Sequence, residues 1–582
     1  MVAAIEISST GKVADKTTER RLTMQVAEIA DDTTTLRSLD WDRDRFDIEF
    51  GLQNGTTYNS YIIRGEKLAL VDTSHAKFRE LYLKTLKEQI DPSQIEYLVI
   101  SHTEPDHSGL VPEILALAPN ATVVGTKVAL QFLNDLVHQP FKQQVVKNGD
   151  QIDLGHGHIL QFVNAPNLHW PDTMMTFDLA TSILYTCDIF GMHYCSESTY
   201  DEDLKRITPD YRFYYECLMA PNARSVISAM KRMDELPQAK IVANGHGPLL
   251  RHNVKELTEN YRKWSQEQTK SETNVVVCYV SDYGYCDRLS QAIARGIAKT
   301  GVAVQMADLK AIDLQELREL VSHAAGLVVC IPPALNTHVE TAIGAILAAA
   351  SEKQIIGLYE PHGDQDSSID LMTNRFKDLG VVTAFSPIRV RENPNAATYQ
   401  ICDEAGTDLG QLLTRKQNIK QLKAIDADLD KALGRLAGGL YIISTAKGDA
   451  RSAMLASWVA QASFKPLGFT VAVAKDRAIE SFMQVGDRFV LNVLEDGNYS
   501  KLMQHFLKRF APGADRFEGV KTQLSQCGAP ILTEALAFME CEVISRMECS
   551  DHWVIYAIAE EGRVSKPDAL TAAHHRKIGN HY

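Results

Sequence analysis

Ser101-His102-Thr103-Glu104-Pro105-Asp106-His107 is the stretch on which the reading of this chain turns. An apolar run with strand character, residues 95–101, leads into it, so the stretch lies on a loop at a strand's carboxyl end. His102, Glu104, Asp106 and His107 bring four metal-competent side chains into six residues. A single His or Asp ordinarily serves packing or a polar turn. Four at this spacing have no packing purpose, and imidazole with carboxylate is a donor set for a transition metal. Working outward, residues 46–50 alternate apolar and polar, Asn54-Gly55 follows, and residues 57–63 are rich in β formers. That order predicts a hairpin, because both turn residues tolerate positive φ. Further strands are expected at 68–72, 122–125, 159–163, 183–188 and 240–243, with helical patterns between several of them. Residues 1–38 are polar and Thr-rich without an apolar period and read as a weakly ordered lead-in; residues 39–265 read as one mixed α/β domain.

The pattern His-x-Glu-x-Asp-His resembles the His-x-His-x-Asp-His motif of the metallo-β-lactamase superfamily, with Glu104 where zinc hydrolases usually carry His. The resemblance implies an αββα fold and three more ligands: His169 in Leu168-His169-Trp170-Pro171-Asp172, Asp188 after the 183–187 strand, and His246 in Asn244-Gly245-His246-Gly247-Pro248. Seven ligands exceed the need of one tetrahedral ion, so two metals are implied. They divide symmetrically, with His102, Glu104 and His169 for one metal, Asp106, His107 and His246 for the other, and Asp188 bridging. Imidazoles and carboxylates without thiolate suit iron or manganese as well as zinc, and spacing alone does not separate them.

A polar stretch, residues 262–273, reads as a linker. Strand and helix then alternate: strands at 274–280, 302–306, 327–331 and 354–358, helices at 287–299 and 314–323. This predicts a doubly wound parallel sheet over residues 272–415, with ligands at the strands' carboxyl ends. After the first strand comes Ser281-Asp282-Tyr283-Gly284-Tyr285-Cys286, opening onto a helix, where backbone amides and the helix dipole favour a phosphate. The loop resembles the flavodoxin phosphate loop, departing from it at Tyr283 and Cys286. Pro332-Pro333-Ala334 and the loop after Tyr359 stand where a flavodoxin places its isoalloxazine loops, with Tyr359 the nearest aromatic. A metallo-β-lactamase-like domain followed directly by a flavodoxin-like one resembles the flavodiiron proteins, which implies a non-haem diiron site and FMN.

Residues 417–433 read as a charged helical connector. From 425 to 582, short strands at 440–445, 469–474, 489–494, 541–547 and 553–559 predict a β-barrel-like domain. The run Met454 to Pro466, with Ala474-Lys475-Asp476-Arg477 and the His574 to Tyr582 tail, resembles the split β-barrel flavin reductases. That implies a second flavin, FMN or FAD, with Ser457 and Ser463 donating to its polar edge or phosphate and Lys475 and Arg477 meeting phosphate. The three-part order resembles the flavodiiron proteins of oxygenic phototrophs, especially cyanobacteria.

Lys+Arg 60 against Asp+Glu 74 makes the net charge −14, which argues against sequence-independent nucleic-acid binding or attraction to anionic membranes. No apolar run reaches a membrane-spanning length, and the N-terminus lacks the charged and apolar regions of a secretory signal. Ten scattered Cys without a CxxC pair suggest reduced thiols, so the cytoplasm is the expected compartment. The family resemblance implies four-electron reduction of O2 to water as a photoprotective electron sink, with NO reduction an alternative at the same site. It further implies NAD(P)H or reduced ferredoxin as donor and a homodimer, or a heterodimer with a paralogue. A zinc hydrolase with regulatory flavin domains is the rival from another class.

Overall fold

The computed structural model describes residues 21–43, 45–46, 50–270, 273–281, 286–332, 337–361, 368–391, 393–422 and 427–576. No described helix is long and apolar enough to cross a membrane. In the first unit, a seven-stranded sheet runs in the order Leu22–Ala30, Thr33–Asp40, Thr56–Arg64, Leu68–Val71, Ile95–Val99, Thr122–Gly125, Lys142–Val145. A five-stranded sheet, Gln151–Gly155, His158–Asn164, Met174–Asp178, Ile183–Cys187, Ile241–Asn244, packs against it through Tyr61, Val71, Val99, Phe162, Ile183 and Tyr185. Helices Arg79–Gln89, Val111–Leu117 and Lys127–Val137 cover the first sheet; Leu204–Tyr214, Ala223–Met233 and Val254–Thr269 cover the second. This is the expected αββα sandwich, with both sheets buried between helical layers.

Three readings are corrected here. The sheet begins at Leu22, inside the segment read as a lead-in, and Thr33–Asp40 is buried along its whole length. Its Thr-rich sequence hides a central strand because ladders to Leu22–Ala30 and Thr56–Arg64 satisfy the backbone on both sides. Asn54-Gly55 does not close a hairpin: Phe46 pairs with Phe50, whereas Thr56–Arg64 pairs with Thr33–Asp40 and Leu68–Val71. Gly55 is required there by close approach as well as by φ +63, since a Cβ would lie 2.5 Å from the Asp40 carbonyl oxygen. The linker read at 262–273 is largely the end of helix Val254–Thr269, anchored by buried Leu257, Tyr261 and Ser265.

The second unit is a parallel sheet in the order Ala303–Asp308, Asn274–Tyr279, Gly326–Cys330, Ile355–Pro361, Val382–Thr383, with Ile388–Val390 also pairing with Ile355–Pro361. Counted along the chain this is 2-1-3-4-5, the flavodoxin order, whose switch point lies beside the first strand. Helix Cys286–Ala298 leads from that strand, and helix Ala396–Leu422 packs beside it. The third unit is an antiparallel sheet in the order Ala450–Ala456, Tyr441–Lys447, Arg488–Val493, Ala537–Cys549, His552–Val564, Leu467–Ala474, Val459–Phe464. It curls around one core, Ile443, Phe469, Val471, Phe489, Leu491, Val543 and Ile555 among others. No described ladder joins its two outer strands, so the barrel is split rather than closed. The sequence missed Ala450–Ala456 and Val459–Phe464, both of which form its edges.

Candidate metal centre

The site is built where strands of the αββα sandwich end. His102 follows strand Ile95–Val99, and Pro105 at the first helical position turns the chain so that Asp106 and His107 point inward. Asp188 follows strand Ile183–Cys187, and His246 follows Ile241–Asn244. Cys187 takes a left-handed φ of 52°, an uncommon conformation for a residue with a side chain, and it re-aims the chain immediately before Asp188. Gly245 is demanded by packing: a Cβ would stand 2.6 Å from His107 Cε1.

The seven predicted side chains meet in one buried pocket, in two groups. His102, Glu104, His169 and Asp188 form one, and Asp106, His107 and His246 the other. Glu104 Oε2 lies 3.0 Å from His169 Nε2 and 3.3 Å from His102 Nε2. Asp106 faces His107 Nε2 at 3.5 Å and His246 Nε2 at 3.4 Å. Asp188 spans both groups. Its Oδ1 is 3.0 Å from His107 Nε2 and 3.2 Å from His246 Nε2, and its Oδ2 is 3.5 Å from His102 Nε2 and 3.6 Å from His169 Nε2. All four imidazoles therefore present Nε2 to a common centre, with one carboxylate between the halves.

Elements of the surroundings hold those rings. His102 Nδ1 donates to Asp172 Oδ1 at 2.9 Å, while Asp172 Oδ2 accepts from the Thr103 amide at 2.8 Å and its hydroxyl at 2.6 Å. His246 Nδ1 donates to the Thr57 carbonyl at 2.7 Å. Such outer contacts set the tautomer that leaves Nε2 free for a metal. Tyr214 donates its hydroxyl to Asp188 Oδ1 at 2.9 Å. His193 packs 4.8 Å from the His246 ring, with Nδ1 2.8 Å from Thr56 Oγ1.

The charges fit a cation. Burial alone would push the Asp188 carboxyl up, but His107, His246 and His102 hold it well below the usual carboxylate range. Burial likewise opposes charge on His107, yet Asp106 and Asp188 raise it to about 10. Among the described residues, buried Asp106 Oδ1 and Asp188 Oδ2 have no hydrogen-bond partner, an expensive condition that metal coordination would relieve. Cys187 also lies within reach of His107 and Asp188, but burial raises its thiol well above the ordinary value and keeps it neutral. Four imidazoles and three carboxylates fit a pair of divalent ions with nitrogen and oxygen preference. Asp172 stood three residues after His169 in a segment the sequence had already marked. Thr57, Tyr214, His193 and Cys187 carried no sequence signal, since only the folded chain brings them here.

The flavin positions are placed less completely. Ser281 follows strand Asn274–Tyr279 and Cys286 opens the next helix, both buried, and Pro332 follows Gly326–Cys330 across the switch point. Asp282, Tyr283, Gly284, Tyr285, Pro333 and Ala334 lie outside the described residues. Tyr359 is turned into the core, its hydroxyl 2.6 Å from Ser290 Oγ, and is not the ring-stacking aromatic. In the third unit, Ser457 keeps a buried Oγ without a partner among the described residues. Ser463 is a correction: its hydroxyl is engaged with the Pro466 carbonyl at 2.7 Å and Tyr556 at 2.8 Å, so the strand turn consumes it. Lys475 is paired with Glu548 and stands over the Trp553 ring, which neutralises the charge expected to meet phosphate. Arg477 is half-exposed, 4.0 Å from Asp476. All ten Cys are free thiols.

Residues 56–247 match the ODP family beta lactamase, and residues 433–579 match the flavin reductase like domain. The chain is 66% identical over 567 residues to the putative diflavin flavoprotein A 3 of Nostoc sp. (strain PCC 7120), covering 97% of this chain and 99% of that one. It is 64% identical over 565 residues to diflavin flavoprotein A 1 of Synechocystis sp. (strain PCC 6803), at 97% and 99% coverage. Among solved structures, the metal-soaked Flv1 flavodiiron core from Synechocystis sp. PCC6803 superposes with a TM-score of 0.63 at 37% identity, over 68% of this chain and 99% of that chain. Identity of this extent across all three units shows that the chain belongs to the diflavin flavoproteins of the flavodiiron family, flavin- and diiron-dependent oxidoreductases.

Proposed function

We propose that this oxidoreductase reduces O2 to water, taking up four electrons and four protons per O2, and serves as an electron sink. The observation that carries the reading is the Asp188 carboxylate, whose two oxygens face the two halves of a seven-ligand nest. In this reading His102, Glu104 and His169 would hold one iron and Asp106, His107 and His246 the other, with Asp188 placed between the two groups. An iron pair held there would supply the redox chemistry for a bound diatomic molecule. The chain's own work is to keep Nε2 of each imidazole turned inward, to exclude bulk water by burial, and to hold the Tyr214 hydroxyl oxygen 2.9 Å from Asp188 Oδ1, to which it donates its proton.

FMN is assigned to the switch point of the parallel sheet, with Ser281, Cys286 and Pro332 at its rim. A second flavin is assigned to the split barrel, supported by the unpartnered buried hydroxyl of Ser457. Its presence favours NAD(P)H as donor, with reduced ferredoxin as the alternative. The test is anaerobic reduction of the iron- and flavin-loaded protein followed by addition of O2. Disappearance of O2 with four reducing equivalents consumed and no peroxide left supports the reading. Sustained peroxide release overturns the four-electron stoichiometry, and faster turnover with NO than with O2 reassigns the substrate.

A further inference from the structure

Three of the four imidazoles in the nest have their outward nitrogen held. Asp172 holds His102 and the Thr57 carbonyl holds His246, both from the metal-binding unit itself. His107 Nδ1 has no hydrogen-bond partner among the described residues. The third tie crosses between units: the side-chain amide of Gln291, 122 residues along the chain, lies 3.1 Å from His169 Nδ1. Gln291 belongs to helix Cys286–Ala298 of the parallel-sheet unit, five residues after Cys286, or about 7.5 Å along the axis at 1.5 Å per residue. That helix begins at the loop assigned to phosphate. Further along it, Arg295 reaches Glu480 of the split barrel at 3.4 Å. One helix thus touches the metal nest, borders the flavin cradle and grips the third unit.

We propose that Gln291 is a positioning residue that fixes the His169 ring and seats the flavodoxin-like unit against the metal centre of its own subunit. The inference rests on the diiron reading given above. With Nε2 of His169 turned to the metal, Nδ1 carries the proton and donates, so the amide presents Oε1. A half-turn of the amide exchanges its oxygen and nitrogen without moving the side chain. A carbonyl acceptor on Nδ1 makes the imidazole a better ligand and removes its freedom to rotate. It also makes the geometry of one metal depend on whether the neighbouring unit is docked.

The experiment compares wild type, Gln291→Leu and Gln291→Glu, each loaded with iron and flavin. Leu keeps the volume and removes the acceptor; Glu keeps an acceptor oxygen. The readouts are iron loss to a chelator and the electron paramagnetic resonance signal of the half-reduced diiron centre. Gln291→Leu is expected to lose iron about tenfold faster from one of the two positions and to show an altered signal, with flavin content unchanged. Gln291→Glu is expected to retain the wild-type rate. A Gln291→Leu protein matching wild type in both readouts overturns the proposal while leaving the diiron reading intact. A wild-type protein that takes up no iron overturns both. Co-expressing Gln291→Leu chains with Asp188→Ala chains separates the two geometries. An unrestored signal supports a contact within one chain, and restoration assigns the contact to the neighbouring subunit and overturns that part.

Discussion

Replacing Asp172 with Asn probes the support of the metal nest at a single atom. The carboxylate is fully buried and acts only as an acceptor: Oδ1 takes the His102 Nδ1 proton, and Oδ2 takes the amide and hydroxyl protons of Thr103. An amide offers one acceptor and one donor, so one side must become donor against donor. If its oxygen faces Thr103, its NH2 meets His102 and drives the proton to Nε2, the atom the metal needs. If its oxygen faces His102, the Thr103 amide and hydroxyl lose the acceptor that Asp172 Oδ2 gives them, at a cost of about 1–3 kcal/mol. Loss of an outer partner of this kind weakens metal binding about 10- to 100-fold, or about 1.4–2.7 kcal/mol. The assay is competition for ferrous iron against a chelator of known affinity, with circular dichroism to confirm the fold. The expected result is one iron position weakened by at least tenfold and the other retained. Affinity within about threefold of wild type, in a folded protein with both irons bound, would refute the reasoning.

Other outcomes follow from the same geometry. Asp188→Ala removes a side chain whose two oxygens face all four imidazoles, so iron content, and with it the proposed O2 reduction, should fall to background while flavin content, read by absorbance, stays at the wild-type ratio. Gly245→Ala places a Cβ against His107, whose outward nitrogen is unheld, so elemental analysis should find iron lost from the His107 half. Glu480, buried at the junction of the second and third units, would be raised by burial, but Arg546, Arg295 and Lys299 hold it down from 4.5 to about 2. Its stabilisation, about 3 kcal/mol by linkage, is complete above pH 4.5 and is lost as pH falls toward 2. Urea unfolding should therefore find Glu480→Gln destabilised at pH 7, with the difference from wild type shrinking between pH 5 and pH 3; a difference that does not change over that range would sink the assignment.

How far the sequence reached depends on how local each signal was. His102, Glu104, Asp106 and His107 fall on one short turn, so their common purpose was readable before any fold was known. The strand and helix alternation after residue 274 likewise follows from nearest-neighbour periodicity, and it led to the observed parallel sheet. The Thr33–Asp40 strand was missed because its burial comes from two flanking ladders, not from its own apolar pattern. Asn54-Gly55 was misread because turn chemistry says that the chain bends, not which strands meet afterwards. Ser463 and Lys475 had suitable functional groups for a flavin, but Tyr556 and Glu548, about 70 to 90 residues away, engage them. By itself the sequence determined the His102, Glu104, Asp106 and His107 cluster and its donor chemistry, because these are properties of residue type and spacing, whereas His169, Asp188, His246 and the order of the three units came from the family resemblance. Only the tertiary structure decided which oxygen of Asp188 faces which pair of imidazoles, which nitrogen of each ring turns inward, and that Gln291 crosses from another unit to reach His169. Those are distances between residues remote in the chain, set by the packing of whole elements.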